Sequence, residues 1–108
     1  MGKYVVKQTA SGAWRFNLKA GNGEKIIGSE NYTTRAACDN GIESVKTNSQ
    51  LDERYEKKKA KDGSPFFNLK ASNGQVIGTS EMFSSNSAME NGIKTVKEIG
   101  PNAPIVEE

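Results

Sequence analysis

Along the chain, apolar and polar positions alternate in short runs, and the pattern switches twice to a helical period. Tyr4-Val5-Val6-Lys7-Gln8 reads as a strand, and Thr9 to Ala13, with Ser11-Gly12, supplies a turn. Trp14 to Ala20 alternates strictly, with Trp14, Phe16, Leu18 and Ala20 on one face and Arg15, Asn17 and Lys19 on the other. A period of two belongs to a strand buried on one side. Asn22-Gly23 then predicts a type I′ hairpin, whose two central residues both need φ > 0. Glu24 to Ser29 follows as a third strand, with Ile26 on its buried face. Beyond Asn31 the period lengthens. Thr33 stands as N-cap, and over residues 34–47 Cys38, Gly41, Ile42 and Val45 fall at i, i+3, i+4 and i+7. This predicts an amphipathic helix ending near Lys46, whose charge suits the helix dipole. A glycine inside a helix costs about 1 kcal/mol against alanine. Gly41 therefore predicts close approach of the helix backbone to the sheet.

The whole pattern then recurs. Phe16-Asn17-Leu18-Lys19-Ala20 returns as Phe67-Asn68-Leu69-Lys70-Ala71, an offset of 51 residues that holds without a gap. Glu30/Glu81, Tyr32/Phe83, Asn40-Gly41/Asn91-Gly92 and Val45-Lys46/Val96-Lys97 keep it, Ser84 takes the capping place of Thr33, and Met89, Gly92, Ile93 and Val96 renew the stripe. One β-β-β-α unit has been duplicated, over 4–48 and again over 55–99, with a polar connector from Asn48 to Asp52 and a tail over 100–108. A unit of this size buries too little to be stable alone, and three strands leave two unpaired edges. The predicted fold is therefore α+β: one domain spanning 1–108, in which two tandem β-β-β-α(-β) repeats form one shared antiparallel sheet with two helices packed on it. The segment Ala103-Pro104-Ile105-Val106-Glu107 has the composition of a last strand closing an edge, and its counterpart in the first repeat is 52–55. With each repeat partnered inside the chain, a monomer is expected.

Composition narrows the chemistry. The net charge is only +2, and neither half of the chain is a basic or an acidic tail, so no nucleic-acid or membrane partner is dictated. Histidine is absent, which removes the commonest general base and the commonest transition-metal ligand. The single cysteine, Cys38, forms no intramolecular disulfide; on the helix stripe, matched by Met89, it reads as a core thiol. No apolar run approaches the roughly 20 residues that cross a bilayer, and no secretory leader is visible, so a cytoplasmic protein is expected. No enzyme activity, metal or cofactor is expected.

The motif Phe-Asn-Leu-Lys-Ala, followed by Asn-Gly, Ser-Glu and Asn-Gly-Ile with Val three residues later, resembles the YegP-like family of small bacterial proteins. The resemblance runs from Tyr4 to Val96. It implies β-β-β-α-β units, single and paired or in tandem, assembled into one sheet with final strands exchanged between units. It brings no established activity with it. The two copies differ at Ile27-Gly28 opposite Gly78-Thr79, and at Trp14-Arg15 opposite Pro65-Phe66.

Two surfaces are candidates for binding. Asn17, Lys19, Asn68 and Lys70 lie opposite the Phe/Leu face in both copies, where they form either a solvated face or a paired polar surface for a protein or a small polar ligand. Lys57, Lys58 and Lys59 with Lys61, taken with Arg15 and Phe66, allow a second reading, weak nucleic-acid binding by phosphate contact and stacking. Lysine also blunts edge strands, the commoner reason for such a run. Ser29-Glu30 and Ser80-Glu81 place a hydroxyl beside a carboxylate, for which local hydrogen bonding in the strand-to-helix turn is the simpler account. The leading expectation is a non-enzymatic interaction module using its polar sheet face or a sheet edge.

Overall fold

The computed structural model describes residues 2–108. Its strands are β1 (Lys3–Gln8), β2 (Trp14–Lys19), β3 (Lys25–Gly28), β4 (Tyr55–Lys59), β5 (Pro65–Lys70), β6 (Val76–Ser80) and β7 (Ile105–Glu107), with helices α1 (Arg35–Asn48) and α2 (Asn86–Ile99). The hairpins within each repeat turn in one way. Gly12, Gly23, Gly63 and Gly74 take positive φ, and each donates its N–H to the carbonyl three residues earlier. Among the described residues no other type has positive φ, so Asn22-Gly23 is not the expected type I′ turn. It ends a three-residue loop closed by a left-handed glycine. Asn22 Oδ1 instead accepts the Glu24 N–H at 2.9 Å, as Asn73 does for Gln75, and this local bond holds the asparagine in a turn of negative φ.

Both helices start one residue later than their sequence suggests. Thr34, not Thr33, is extended and accepts the Ala37 N–H at 3.0 Å; Ser85, not Ser84, does the same for Ala88. The side chain of an N-cap reaches the amide three residues on, and only these positions leave the apolar stripe over the sheet. Cys38, Gly41, Ile42 and Val45 are buried, and so are Met89, Gly92, Ile93 and Val96. Ile26 is buried as expected, but Ile27 is buried with it. A register shift between Leu18 and Lys19 inserts an extra residue into β3, so two successive side chains face the helices.

The strands form one sheet in the order β4-β5-β6-β3-β2-β1-β7. It is antiparallel except at one edge, where the tail closes the sheet by pairing parallel to β1. The counterpart proposed for the first repeat adds no strand: residues 52–54 form a single helical turn that runs into β4. Residues of both repeats, from Tyr4 and Phe16 to Phe67 and Val96, share one apolar cluster between the sheet and the helices.

The repeats meet at β3 and β6, and there the differences between the copies find their reason. Gly28 and Thr79 are equivalent positions in the duplication, and they pair directly with each other. The pseudo-two-fold axis therefore passes between them. On the helix side, a Cβ built on Gly78 would lie 3.2 Å from Cδ1 of Ile27, its own equivalent. Two isoleucines would collide across the axis, whereas one isoleucine and one glycine fit.

Two tyrosines cross-link the halves. Tyr4 donates its hydroxyl to the Gly100 carbonyl at 2.7 Å, at the end of the second repeat's helix; Tyr55 donates to Ser49 at 2.8 Å, at the end of the first repeat's. Each ring also lies 5.8 Å from a lysine Nζ, Lys46 over Tyr4 and Lys97 over Tyr55. Burial pushes both phenols well above their ordinary value of 10.0. Gly41 packs tightly as expected, but against a side chain and not sheet backbone. A Cβ there would lie 2.8 Å from Cζ of Tyr32, and one at Gly92 would lie 2.6 Å from Cζ of Phe83. Those rings stack on Phe16 and Phe67.

Two outcomes follow from this packing. Gly78→Ile alone should overpack the axis by about 1–3 kcal/mol. Ile27→Gly alone should leave a cavity, and the exchanged pair should recover much of both losses in urea unfolding. Simple additivity of the two changes would show that the residues do not compensate. Gly41→Leu and Gly92→Leu should each lower the unfolding free energy by about 1–3 kcal/mol, while the exposed Asn40→Ala changes it little; a Leu variant as stable as the parent would remove packing as the reason for that glycine.

Candidate functional site

Helices cover one face of the sheet, so alternation assigns the other face residue by residue. Phe16 and Leu18 turn to the helices, and Arg15, Asn17 and Lys19 turn away; in β5, Phe67 and Leu69 are buried while Phe66, Asn68 and Lys70 lie on the open side, all half-buried. The registers align these residues in a row across every strand: Glu56, Asn68, Thr79, Gly28, Asn17, Val5 and Val106. Asn17 and Asn68 thus stand on either side of the pseudo-two-fold axis, separated by Gly28 and Thr79.

The two halves of this row differ in charge. In the second repeat, Lys70 meets Glu56 at 3.1 Å, Asn68 donates to the same carboxylate at 3.4 Å, and Thr79 donates to Asn68 at 2.8 Å. The Lys70 bond and then the Asn68 bond hold the Glu56 carboxyl below its ordinary range. In the first repeat the position of Glu56 is Val5, which is buried. No carboxylate stands in the row itself there, and the registers pair like with like. Lys3 lies opposite Lys19, Lys19 opposite Lys25, and Lys7 opposite Arg15. Directly opposed like charges destabilise a sheet. Lys25 lies across Gly28: a Cβ on that glycine would be 2.9 Å from its Cε and 3.0 Å from Asn17 Oδ1. Its ammonium reaches Glu81 at 3.5 Å. Lys7 and Arg15 also line a shallow groove of about 320 Å³ with Gln8, Thr9 and Ala10.

The structure divides the residues singled out from the sequence. Asn17, Lys19, Asn68, Lys70, Arg15 and Phe66 share the open face. Lys57 and Lys59 do not. Lys57 pairs with Phe67 across the strands and ion-pairs with Glu90 of α2 at 2.6 Å, so it stands on the helix side; Lys59, two residues on, shares that side. The lysine opposite Phe66 is Lys58. Lys3, Lys7 and Lys25 belong to the face and were missed. Alternation in β1 could have found the first two, but Lys25 depends on the register shift in β3. The serines behave alike in both copies. Ser29 Oγ accepts the Phe16 N–H and donates to the Glu30 carbonyl, and Ser80 does the same for Phe67 and Glu81. Cys38 is fully buried, and burial pushes its thiol up. Among the described residues no cluster of metal-ligating side chains occurs, and no helix is long and apolar enough to cross a membrane.

Comparison with known proteins agrees with this architecture. The model of a domain of unknown function, DUF1508, matches twice, over residues 10–56 and 60–107. A UPF0339 protein of Shewanella oneidensis strain MR-1 is 51% identical over 96% of this chain and 94% of its own length. The UPF0339 protein YegP of Escherichia coli O157:H7 is 45% identical over the same shares. Two solution NMR structures superpose closely. The Shewanella oneidensis UPF0339 protein SO3888 has a TM-score of 0.93 at 50% identity, covering 98% of this chain and 90% of that one. E. coli YegP, described as a protein of unknown function, has a TM-score of 0.94 at 43% identity, covering 99% and 92%.

Glu56 gives a pH test of the site. Its pKa is lowered in the fold, so the stability this carboxylate contributes is present above the ordinary value of 4.5 and is lost as pH falls through the lower folded value. An NMR titration of Glu56 should show a midpoint below 4.5, and Lys70→Ala should move it back up. An unchanged midpoint in that variant would exclude Lys70 as the cause.

Proposed function

We propose, from the premise that the chain belongs to the DUF1508 family together with the UPF0339 proteins, that it is a non-enzymatic binding module which receives an acidic protein surface on the open face of its first repeat. One observation carries this reading. Lys3, Lys19 and Lys25 stand in one line across three strands, beside Lys7 opposite Arg15, with a single ion pair, from Lys25 to Glu81, recorded among them. Such pairs cost stability in the free chain, and an anionic partner would offset that cost. The second repeat shows the contrast, since Glu56 neutralises the same row there. The nucleic-acid reading has less support. Holding successive bases takes several exposed rings on one face, and here Phe66 stands alone, with Lys57 turned toward Glu90. The module acts as a monomer, because each repeat completes the other's core, and its place is the cytoplasm.

The test sets stability against binding. At low salt, Lys19→Gln and Arg15→Gln should each raise the unfolding free energy, by about 0.2–1 kcal/mol. Both should weaken binding of poly-glutamate, and binding by the parent should fall with added salt. Variants that are less stable than the parent, or that bind poly-glutamate undiminished, would refute the reading. Tighter binding of a single-stranded oligonucleotide, lost in Phe66→Ala, would favour nucleic acid instead.

A further inference from the structure

The two edges of the sheet are equivalent by descent and different in fact. At one edge β1 is covered by β7. Tyr4 pairs with Ile105, Val5 with Val106 and Val6 with Glu107; Tyr4 N–H donates to Pro104 at 2.8 Å, and Glu108 N–H donates to Val6 at 2.9 Å. At the other edge stands β4, the equivalent of β1, with Tyr55 in the place of Tyr4 and Lys57 in the place of Val6. The residues that the repeat would send to cover it are 54–56, and these already belong to β4 or lead into it. No segment of the chain can fill both roles. Among the described residues nothing pairs with the outer edge of β4.

We propose that the outer edge of β4 takes up, as a parallel strand, an extended segment of another protein with a β-branched aliphatic residue followed two positions later by a carboxylate. Three observations carry this. The first is the backbone: Tyr55 N–H is used by the Asp52 carbonyl, but by equivalence with β1 the Tyr55 carbonyl and both Lys57 groups face outward. The second is space: a cleft of about 330 Å³ lies between β4 and α2, lined by Tyr55, Lys57, Glu90, Ile93 and Lys97 with Asp52. On β1, Ile105 and Glu107 share the helix side with Tyr4 and Val6, so the first residue of an incoming strand would enter this cleft and the third would stand beside Lys57. The third is charge. At the covered edge, Glu107 is held by Arg35 at 2.5 Å. The position of Arg35 is Asn86 in the second repeat, and that of Val6 is Lys57, next to Lys58 and Lys59. The cation beside that position has moved from the helix to the strand, where Lys57 ion-pairs with Glu90 as Arg35 does with Asp39 while also holding Glu107. A second copy's tail is a poor occupant, because leaving its own β1 breaks a ladder as long as the one it would form and gives up the Arg35 pair, which the β4 edge does not offer.

This inference concerns the edge, so it can fail without the face, and the face without it. The probe is the octapeptide of residues 101–108, Pro-Asn-Ala-Pro-Ile-Val-Glu-Glu, titrated into the isotopically labelled full chain. Amide shifts should concentrate at Glu56, Lys57 and Lys58. A peptide carrying Val106→Pro lacks the N–H that would bond the Tyr55 carbonyl, and should bind roughly tenfold more weakly or worse. Lys57→Glu in the chain should weaken the parent peptide, while Arg15→Gln should leave it unchanged. Shifts confined to β1 and β7, no shifts, or equal binding of the proline peptide would overturn the proposal. So would a dimer of the chain alone that protects the β4 amides, since the occupant would then be a second copy.

Discussion

The structure depends on two equivalent strands meeting at their own axis of symmetry. Gly28 faces Thr79 and Ile27 faces Ser80, and this short junction joins the two halves of the sheet. Strict identity at the axis is sterically disfavoured, because each side chain would meet its own copy. The chain resolves this by size on the helix side, isoleucine against glycine; on the open side Gly28 makes room for Lys25 and Asn17. Duplication in one chain makes such a division possible, because the two copies can differ. A pair of identical chains would have to place one residue type at both positions.

With the axis settled, the two halves hold each other through their buried tyrosines. Each phenol satisfies a carbonyl at the end of the other repeat's helix, in a site dry enough to raise its pKa well above the usual value. A carbonyl left unpaired there would cost about 1–3 kcal/mol. The same rings pack edge-on to Phe16 and Phe67, which in turn stack on Tyr32 and Phe83 under the helix glycines. The glycines, the aromatic stack and the tyrosine bonds therefore act as one packing unit, present twice.

Function, in this reading, follows from where the copies diverge and not from where they agree. The shared Asn and Lys residues lie on both halves of the open face, but only the second half carries a carboxylate within the row itself, Glu56. The shared edge position is closed on β1 and open on β4 because one segment of chain cannot be in two places. Both asymmetries involve charge, and both arise from substitutions on a symmetric frame: Val5, Lys25 and Arg15 against Glu56, Val76 and Phe66 on the face, and Val6 and Arg35 against Lys57 and Asn86 at the edge.

Much of this was legible in the chain itself. The offset of 51 residues, strict alternation in Trp14–Ala20 and the Cys38–Val45 stripe determined the duplication, the strands, the helices and which residues are buried. Those are local properties, set by the period of side chains along a strand or helix. Even the tail was readable as a strand, from its β-branched residues after Pro101. Contacts between segments distant in sequence were decided only by the tertiary structure. Lys19 and Lys25 are neighbours because a register shift aligns them, and Lys57 leaves the open face because Phe67, its partner across the strands, is buried. The order of the strands decided which edge the tail covers and which strand stays open. Alternation says which way a side chain points, but which charges it meets there is settled only when the strands are paired.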